Sequence, residues 1–183
     1  MFIYGGRVKE NRRNVLAEEG PVWNCLPERG FFLEIEGDTE RKRFDMKWDL
    51  KQEYTEVVKN NPFAAQLGIE IMEIREGYVH ARVKKKKELE NVYGDLHGGC
   101  LYTVADNMAG IASSTYGYYV TTVSGTIQYL RAARNTEFIF CEAEVIKHGK
   151  TIDAVHVKIT DDNGLLLNTA DFTFFNLRKR EGA

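Results

Sequence analysis

The sequence has few of the features that mark several other classes of protein. Its 183 residues include three cysteines and three prolines, and no apolar run approaches the length of a membrane-spanning helix. Cys25, Cys100 and Cys141 are scattered and lack CxxC spacing, so we expect reduced thiols and no zinc site. The net charge of −2 argues against binding nucleic acid or an anionic membrane surface. Because the start also lacks a signal-peptide pattern, we expect a cytoplasmic protein.

Residues 1–45 differ from the rest of the chain in composition and in hydrophobic pattern. They contain Pro21 and Pro27, five glycines and many charges, with little hydrophobic periodicity. We interpret them as an N-terminal extension, or as residues that precede a true start at Met46. An added substructure, which includes a hairpin around Gly37-Asp38, is the alternative. Residues 46–183 form the predicted domain, which is long enough for one hydrophobic core.

The order of predicted elements indicates the fold class. A helical pattern ends at Pro62, and two alternating strands follow around a Glu76-Gly77 turn. A long helix is predicted from His97 to about Ser114. Four strand-like stretches then read YVTTVSGTIQYLRA, EFIFCEAEVIKHG, KTIDAVHVKITD and LLLNTADFTFFNL. Because short turns join these strands, including the hairpin signal Asn163-Gly164, we predict an antiparallel sheet and an α+β fold.

The long helix is apolar or small on nearly every side, so we expect the sheet to curl around it. Within residues 101–112, Asp106 is the only residue that can be charged. Burying an unpaired carboxylate is unfavourable, so Asp106 must be hydrogen-bonded, protonated or in a cleft that water reaches. Two interpretations remain at this point: a structural acid that caps backbone or bridges subunits, and a functional one.

Two glycines at the start of this helix favour the functional interpretation. Gly98 and Gly99 leave backbone N–H groups uncovered by side chains, where the helix dipole also attracts negative charge. Such a donor suits a carbonyl oxygen that becomes an oxyanion, although close packing against the sheet also explains the glycines. A donor and a buried acid together indicate acyl transfer or hydrolysis.

The stretch NVYGDLHGGCLYTVADN resembles the motif of hotdog-fold acyl-CoA thioesterases of the phenylacetate-pathway (PaaI-like) type. In that motif an Asn and a Gly precede His-Gly-Gly, and an acid follows the second glycine at the spacing seen here. The resemblance extends over residues 50–177 and includes a Lys-x-Gly-Lys turn within residues 147–151. It implies a hotdog fold, an antiparallel β-sheet wrapped around a long central α-helix. It also implies an enzyme that hydrolyses acyl-CoA without a metal or a cofactor other than the CoA of its substrate.

The resemblance assigns roles to individual residues. Gly99 matches the glycine whose N–H polarises the thioester carbonyl, and Asn91 matches the amide that helps to hold that carbonyl or the water. Asp106 matches the catalytic carboxylate, which either deprotonates a water or attacks the thioester directly. His97 is the motif histidine, and it either fixes the loop by hydrogen bonds or transfers a proton.

A hydroxyl residue on the strand after the helix completes the implied site. Thr122 falls where related enzymes carry a Ser or Thr that steadies the acid or the water. Thr121 and Ser124 lie close enough in sequence to be alternatives.

The spacing of the two functional halves predicts the assembly. Gly99 and Asp106 are seven residues apart, about 10 Å along a helix that rises about 1.5 Å per residue. One carbonyl cannot lie within reach of both on the same helix, so the two halves must come from different subunits. This agrees with the resemblance, which implies homodimers with composite sites that often pair into homotetramers.

Cations near the mouth of the site are expected to meet the phosphates of CoA. The candidates for binding CoA are Gly98 at the helix start, Arg131, Arg134, Lys147, His148, Gly149 and Lys150. The acyl pocket is expected to be lined by Phe63, Leu67, Tyr93 and Met108. Ordinary solvated lysines and arginines are the alternative for any one of the cations.

Two other functions compete with hydrolysis. A non-catalytic acyl-CoA-binding hotdog, which acts as a ligand sensor, needs no carboxylate on the helix, so Asp106 disfavours it. A hotdog dehydratase pairs a catalytic histidine with an acid in a different local pattern, which His97 followed by two glycines does not suit. A purely structural oligomer explains neither the glycines nor the acid.

Overall fold

The computed structural model describes residues 49–180, so the predicted N-terminal extension, its hairpin around Gly37-Asp38 and Cys25 lie outside the described residues. The elements are α1 (Leu50–Asn60), α2 (Ala64–Leu67), β1 (Ile69–Arg75), β2 (Tyr78–Lys84), a 3-10 turn (Lys87–Leu89), α3 (Gly98–Ser114), β3 (Tyr118–Tyr129), β4 (Phe138–Lys147), β5 (Ile152–Asp161) and β6 (Leu166–Lys179). This order confirms the prediction of a helix, two strands, a long helix and four strands. The short α2 is an addition.

Local sequence explains how these elements start and which faces they bury. The Asp49 carboxylate caps α1 by accepting the Lys51 N–H at 3.0 Å. In β2, Val79, Ala81 and Val83 are buried and alternate with more exposed residues, as the two-residue period of a strand requires.

The six strands form one antiparallel sheet in the order β1-β2-β4-β5-β6-β3. After leaving α3, the chain crosses to the far side of the sheet, where β3 pairs with β6 along its length. Within residues 49–180, β3 and β1 are therefore the two edge strands, and β3 is largely exposed along its second half.

The central helix α3 packs against all six strands. Its buried residues lie on most of its circumference: Cys100, Leu101, Val104, Ala105, Met108, Ala109, Ile111, Ala112 and Ser113. The hotdog architecture of a sheet wrapped around one helix is thereby confirmed. Asp106 is half-buried, on the side of α3 that faces β3.

Candidate functional site

The start of α3 is held by the side chain that precedes it. His97 is the N-cap residue, and its Nδ1 accepts the N–H of Gly99 at 2.9 Å. The predicted oxyanion donor therefore already has an acceptor within its own chain. This geometry matches the loop-fixing alternative for His97.

The two glycines differ in what surrounds them. The ring of Tyr129 covers Gly98, where an added Cβ would lie 3.3 Å from ring carbons, and the Tyr129 hydroxyl donates to the Gly98 carbonyl at 2.9 Å. Packing alone therefore explains a glycine at position 98. Gly99 is exposed, and an added Cβ there would lie 3.1 Å from Nδ1 of His97.

Asn91 organises the loop that leads to the helix. Its Oδ1 accepts the N–H groups of Tyr93 at 2.8 Å and Asp95 at 3.2 Å, and its own N–H donates to the Asp95 carbonyl at 2.7 Å. The side-chain amide nitrogen of Asn91 has no acceptor within residues 49–180, so it remains a donor for a ligand. Tyr93 is 81% exposed on this loop and does not line the cavity described below.

Asp106 is bonded across to the edge strand. The hydroxyl of Thr122 donates to Oδ1 of Asp106 at 2.8 Å. Burial raises the pKa of the Asp106 carboxyl, and the hydrogen bond from Thr122 lowers it in part. Of the three hydroxyl residues considered on this strand, Thr122 reaches the acid, and Thr121 and Ser124 do not.

A cavity of about 470 Å³ opens beside Asp106. It lies between α1, the second half of α3, and the facing ends of β3 and β6. Its walls are Tyr54, Val57, Val58, Asn60, Asn61, Pro62, Phe63, Asp106, Asn107, Gly110, Ile111, Ser114, Tyr118, Tyr119, Val120, Thr121, Thr122, Phe174, Leu177, Arg178 and Arg180. A mostly apolar cleft of this volume with a few polar groups is typical of a small-molecule site.

Of the four residues predicted to line the acyl pocket, one lines this cavity. Phe63 lines the cavity, as expected. Met108 is fully buried in the core, because α3 is surrounded on several sides and only one of its faces borders the cavity. Leu67, at the end of α2, is buried as well and does not line the cavity. Sequence reasoning missed Tyr54 and Arg178 as cavity residues, since both lie on elements remote from the motif.

The Lys147–Lys150 turn presents two exposed lysines, whereas its central residues are hydrogen-bonded to Asp153. The ring of His148 stacks on Tyr116 at 3.9 Å between centroids, and its Nδ1 lies 2.7 Å from Oδ1 of Asp153. Gly149 donates its N–H to the same oxygen at 3.1 Å. His148 is thus a bonded part of the turn, and its contact with CoA stays a prediction.

A fully buried carboxylate anchors this turn to the central helix. Asp153 is 0% exposed, and it accepts hydrogen bonds from the Ser113 hydroxyl at 2.6 Å and the Asn176 amide at 3.2 Å, besides those from the turn. Asn176 also donates to the Gly149 carbonyl at 2.9 Å. The network fixes the turn relative to the end of α3.

The two candidate arginines differ in their hydrogen-bond partners. Arg134 forms a bidentate salt bridge with Asp95, with both nitrogen–oxygen distances at 2.9 Å. The Arg134 guanidinium holds the pKa of the Asp95 carboxyl below its usual value. Its charge is therefore neutralised within the chain. Arg131 is exposed and donates one N–H to the Leu166 carbonyl at 2.8 Å.

Within residues 49–180, no group of three or more His, Cys, Asp or Glu side chains is placed to hold a metal ion. Cys100 and Cys141 are unpaired and buried, and burial raises the pKa of the Cys100 thiol to about 11.

Known proteins share this sequence pattern. A family model described as the thioesterase superfamily matches residues 93–168. The chain is 30% identical to human acyl-coenzyme A thioesterase 13 over 119 residues, which are 63% of this chain and 85% of that relative. It is 25% identical to the acyl-coenzyme A thioesterase PaaI of Escherichia coli over 103 residues, which are 56% of this chain and 74% of that relative.

Solved structures share the fold. A hypothetical thioesterase of Streptococcus pneumoniae with coenzyme A superposes with a TM-score of 0.60 at 30% identity, covering 62% of this chain and 88% of its own. The PaaI protein of E. coli superposes with a TM-score of 0.67 at 21% identity, covering 72% of this chain and 95% of its own. The latter likeness concerns the fold alone.

Proposed function

The chain belongs to the thioesterase superfamily, and from this premise we infer that it is an acyl-CoA thioesterase, which hydrolyses a thioester to a free carboxylic acid and CoA. One observation carries this function in the chain itself. The half-buried Asp106 carboxyl, bonded to Thr122 at 2.8 Å, forms part of the wall of a cavity of about 470 Å³. A carboxyl whose pKa burial raises is a stronger base than an exposed one, which suits proton abstraction from water.

In the proposed reaction, a water or Asp106 itself attacks the thioester carbon. A carbon–oxygen bond forms, the carbon–sulfur bond breaks, and CoA leaves as a thiolate that takes up a proton. When Asp106 is the attacking group, the acyl group remains on it as a mixed anhydride, and a water then hydrolyses this anhydride to the free acid and regenerates Asp106. Thr122 holds the Asp106 carboxylate in place during the attack. This hydrolysis balances with water and protein groups alone, so we propose that no cofactor or metal takes part.

The developing oxyanion is assigned to the start of α3 and to the loop before it. Gly99 supplies a backbone N–H at the positive end of the helix dipole, and the side-chain amide of Asn91 supplies a second donor. The Gly99 N–H donates to His97 in the structure. We propose that the thioester oxygen replaces the His97 ring as its acceptor, so His97 holds the donor in position until substrate binds.

These two halves of the site are too far apart to serve one thioester within a chain. Gly99 and Asp106 are separated by about 10 Å along α3, at about 1.5 Å per residue. We therefore propose a homodimer with two equivalent composite sites, each using Asp106 of one subunit and Gly99 with Asn91 of the other. The exposed edge strand β3, where Val123 is 58% exposed, supports this assembly.

A pairing of two such dimers into a homotetramer is the further step that we propose. Ile152 and Phe175 are partners on neighbouring strands, and both are exposed apolar side chains. Such a patch on a sheet is typical of a surface that another subunit covers. A stable, fully active monomer in analytical ultracentrifugation would contradict both levels of assembly.

CoA recognition is assigned to exposed cations. Lys147, Lys150 and Arg131 are exposed, and the Asp153 network holds the turn that carries the two lysines. We propose that these three residues contact the phosphates of CoA. Arg134 is not included, because Asp95 neutralises it.

The two buried thiols bear on the cellular location of the enzyme. We propose that the enzyme works in the cytoplasm, where thiols such as Cys100 and Cys141 stay reduced. Within the part of the chain that the structure describes, no helix is long and apolar enough to cross a membrane. We also propose that residues 46–183 are the catalytic domain and residues 1–45 an extension of it.

A thiol-release assay with short, medium, long and aryl acyl-CoAs tests the function. The wild-type protein is expected to release CoA from at least one of them, and Asp106→Asn to release none while its circular dichroism and sedimentation stay unchanged. Asp171→Asn, which changes an exposed acid on β6, is the matched control and should stay active. Acyl-CoA binding without release would identify a ligand sensor, and activity in Asp106→Asn would refute the assigned acid.

Single-turnover hydrolysis in isotopically labelled water distinguishes the two roles of Asp106. If Asp106 attacks first, the first product carries an enzyme oxygen and lacks the label. If Asp106 acts as a general base, the label enters the product at once.

A further inference from the structure

The cavity beside Asp106 has two distinct ends. Asp106, Gly110 and Ser114 are spaced four residues apart and so lie on one face of α3, over about 12 Å at about 1.5 Å per residue. On β3, Thr122 at the Asp106 end and Tyr119 at the other are about 10 Å apart, at about 3.3 Å per residue. The helix and the strand therefore give similar lengths for the cavity, about 12 Å and about 10 Å.

The middle of the cavity is apolar. Phe174, Val57 and Ile111 contribute to its walls. Gly110 leaves space there, because an added Cβ at this position would lie 3.2 Å from the ring of Phe174. A hydrocarbon chain fits this section, and a thioester carbon near Asp106 directs the chain along it.

The end remote from Asp106 is cationic. Arg178 lies opposite Tyr119 in the β3–β6 pairing, and its guanidinium carbon is 4.9 Å from the centroid of the Tyr119 ring. Arg178 forms no ion pair with any carboxylate of residues 49–180. Arg180, in contrast, is paired with Glu53 and donates to the Tyr54 hydroxyl. Arg178 therefore gives this end a positive charge that no carboxylate of residues 49–180 neutralises.

Two hydroxyl groups add polarity at the same end. Ser114 and Tyr54 are hydrogen-bonded to each other at 3.0 Å, and burial raises the pKa of Tyr54 to about 12, so its phenol stays neutral. Asp106 is the only acidic residue that lines the cavity among the described residues. One end of the cavity is thus acidic and the other basic, with an apolar section between them.

We propose that this cavity selects acyl groups that carry a carboxylate at the end remote from the thioester, with Arg178 as the residue that recognises it. The proposal rests on the proposed thioesterase function and names its substrate class. A guanidinium binds a carboxylate through two parallel hydrogen bonds. A second carboxylate on a short acyl chain would lie near Asp106 and be repelled, whereas one about a cavity length away is screened from Asp106 and reaches Arg178.

The test compares acyl-CoA pairs that differ only in the terminal carboxylate. kcat/KM is measured for adipoyl-CoA against hexanoyl-CoA, for suberoyl-CoA against octanoyl-CoA, and for succinyl-CoA against butanoyl-CoA. We expect a preference for the terminal carboxylate in at least one of the two longer pairs, and discrimination against succinyl-CoA. Arg178→Met should lower the preferred ratio at least about tenfold, because it removes both charge-assisted hydrogen bonds and the loss of one in a partly exposed site accounts for about that factor. Lys179→Met is the matched control, since Lys179 is the next residue and also lies beside a tyrosine ring, yet does not line the cavity.

Several outcomes would overturn the proposal. One is a wild-type protein that prefers the plain acyl group in both longer pairs, and another is an unchanged ratio in Arg178→Met. If Arg178→Met lowers kcat/KM equally for all CoA thioesters but not for N-acetylcysteamine thioesters, Arg178 binds the phosphates of CoA instead. Failure of the proposed function is distinguishable from all of these, because then no acyl-CoA of either kind releases thiol.

Discussion

Replacing Thr122 with alanine removes the hydroxyl that donates to Oδ1 of Asp106 at 2.8 Å and leaves the effect of burial unopposed. Burial raises the pKa of the Asp106 carboxyl and the Thr122 hydrogen bond lowers it, so the substitution raises that pKa further. In the proposed mechanism the ionised carboxylate is the active form. Activity is therefore lost as the pH falls through the pKa of Asp106, and the acid limb of the kcat/KM profile moves to higher pH in Thr122→Ala.

The size of the effect follows from the bond that is lost. A hydrogen bond to a charged group contributes about 1.5–3 kcal/mol, and Thr122 is exposed, so water replaces part of that contribution. The lower figure applies here, and about 1.4 kcal/mol corresponds to a factor of ten. We expect kcat/KM to fall about tenfold at a pH on the acid limb and less on the plateau.

The assay is steady-state thiol release across a pH series, with two matched variants. Thr122→Ser retains a hydroxyl and should keep the wild-type profile. Ser124→Ala removes a hydroxyl from the same strand, at a residue that does not line the cavity. If the Thr122→Ala profile superimposes on the wild type, or if Ser124→Ala shifts the limb equally, the link between Thr122 and Asp106 is refuted.

Two further substitutions probe the frame around the site. Asp153→Ala leaves several buried donors without an acceptor, so it should lower the free energy of unfolding by about 3 kcal/mol in urea titrations. Asp171→Ala removes an exposed pair with His156 and should lower the free energy of unfolding by less than about 1 kcal/mol. Equal losses would contradict the role of the buried network. Gly110→Ala places a methyl group 3.2 Å from the ring of Phe174, so kcat/KM should fall more for long acyl chains than for acetyl-CoA. A uniform change in kcat/KM across chain lengths would show that acyl groups do not pass Gly110.

The sequence predicted the elements and their order because local periodicity reports which residues face a core. The alternation of Val79, Ala81 and Val83 and the apolar character of residues 98–114 were sufficient for this. Periodicity does not report which strands become neighbours. The crossing that places β3 beside β6 at the far edge of the sheet was therefore not predictable from these patterns.

The site was predicted in part, for a similar reason. The motif identified Asp106 and its partner strand, but many residues of the cavity come from α1 and the end of β6, which the motif does not include. Met108 is predicted to line the pocket because it lies on the same helix as Asp106. A helix turns 3.6 residues per revolution, so a residue two positions away faces elsewhere, and Gly110 lies on the cavity face instead.

The partners of two hydrogen-bonded histidines in loops were also not predictable from residue spacing. The capping of Gly99 by the His97 ring depends on the backbone path of the loop, and the capture of His148 by Asp153 depends on how the Lys147–Lys150 turn folds back. Neither contact follows from residue spacing alone.

Subunit mixing tests most directly whether the two halves of the site meet across a dimer interface. Asp106→Asn and Asn91→Ala each impair a different half, so each homodimer is expected to be weakly active or inactive. Co-expressing the two variants with different affinity tags and purifying the mixed dimer leaves one intact composite site in each molecule. The predicted result is about half of the wild-type kcat per dimer, with an unchanged KM. A mixed dimer as inactive as its parents would show that Asp106 and Asn91 act within one chain and would contradict the account.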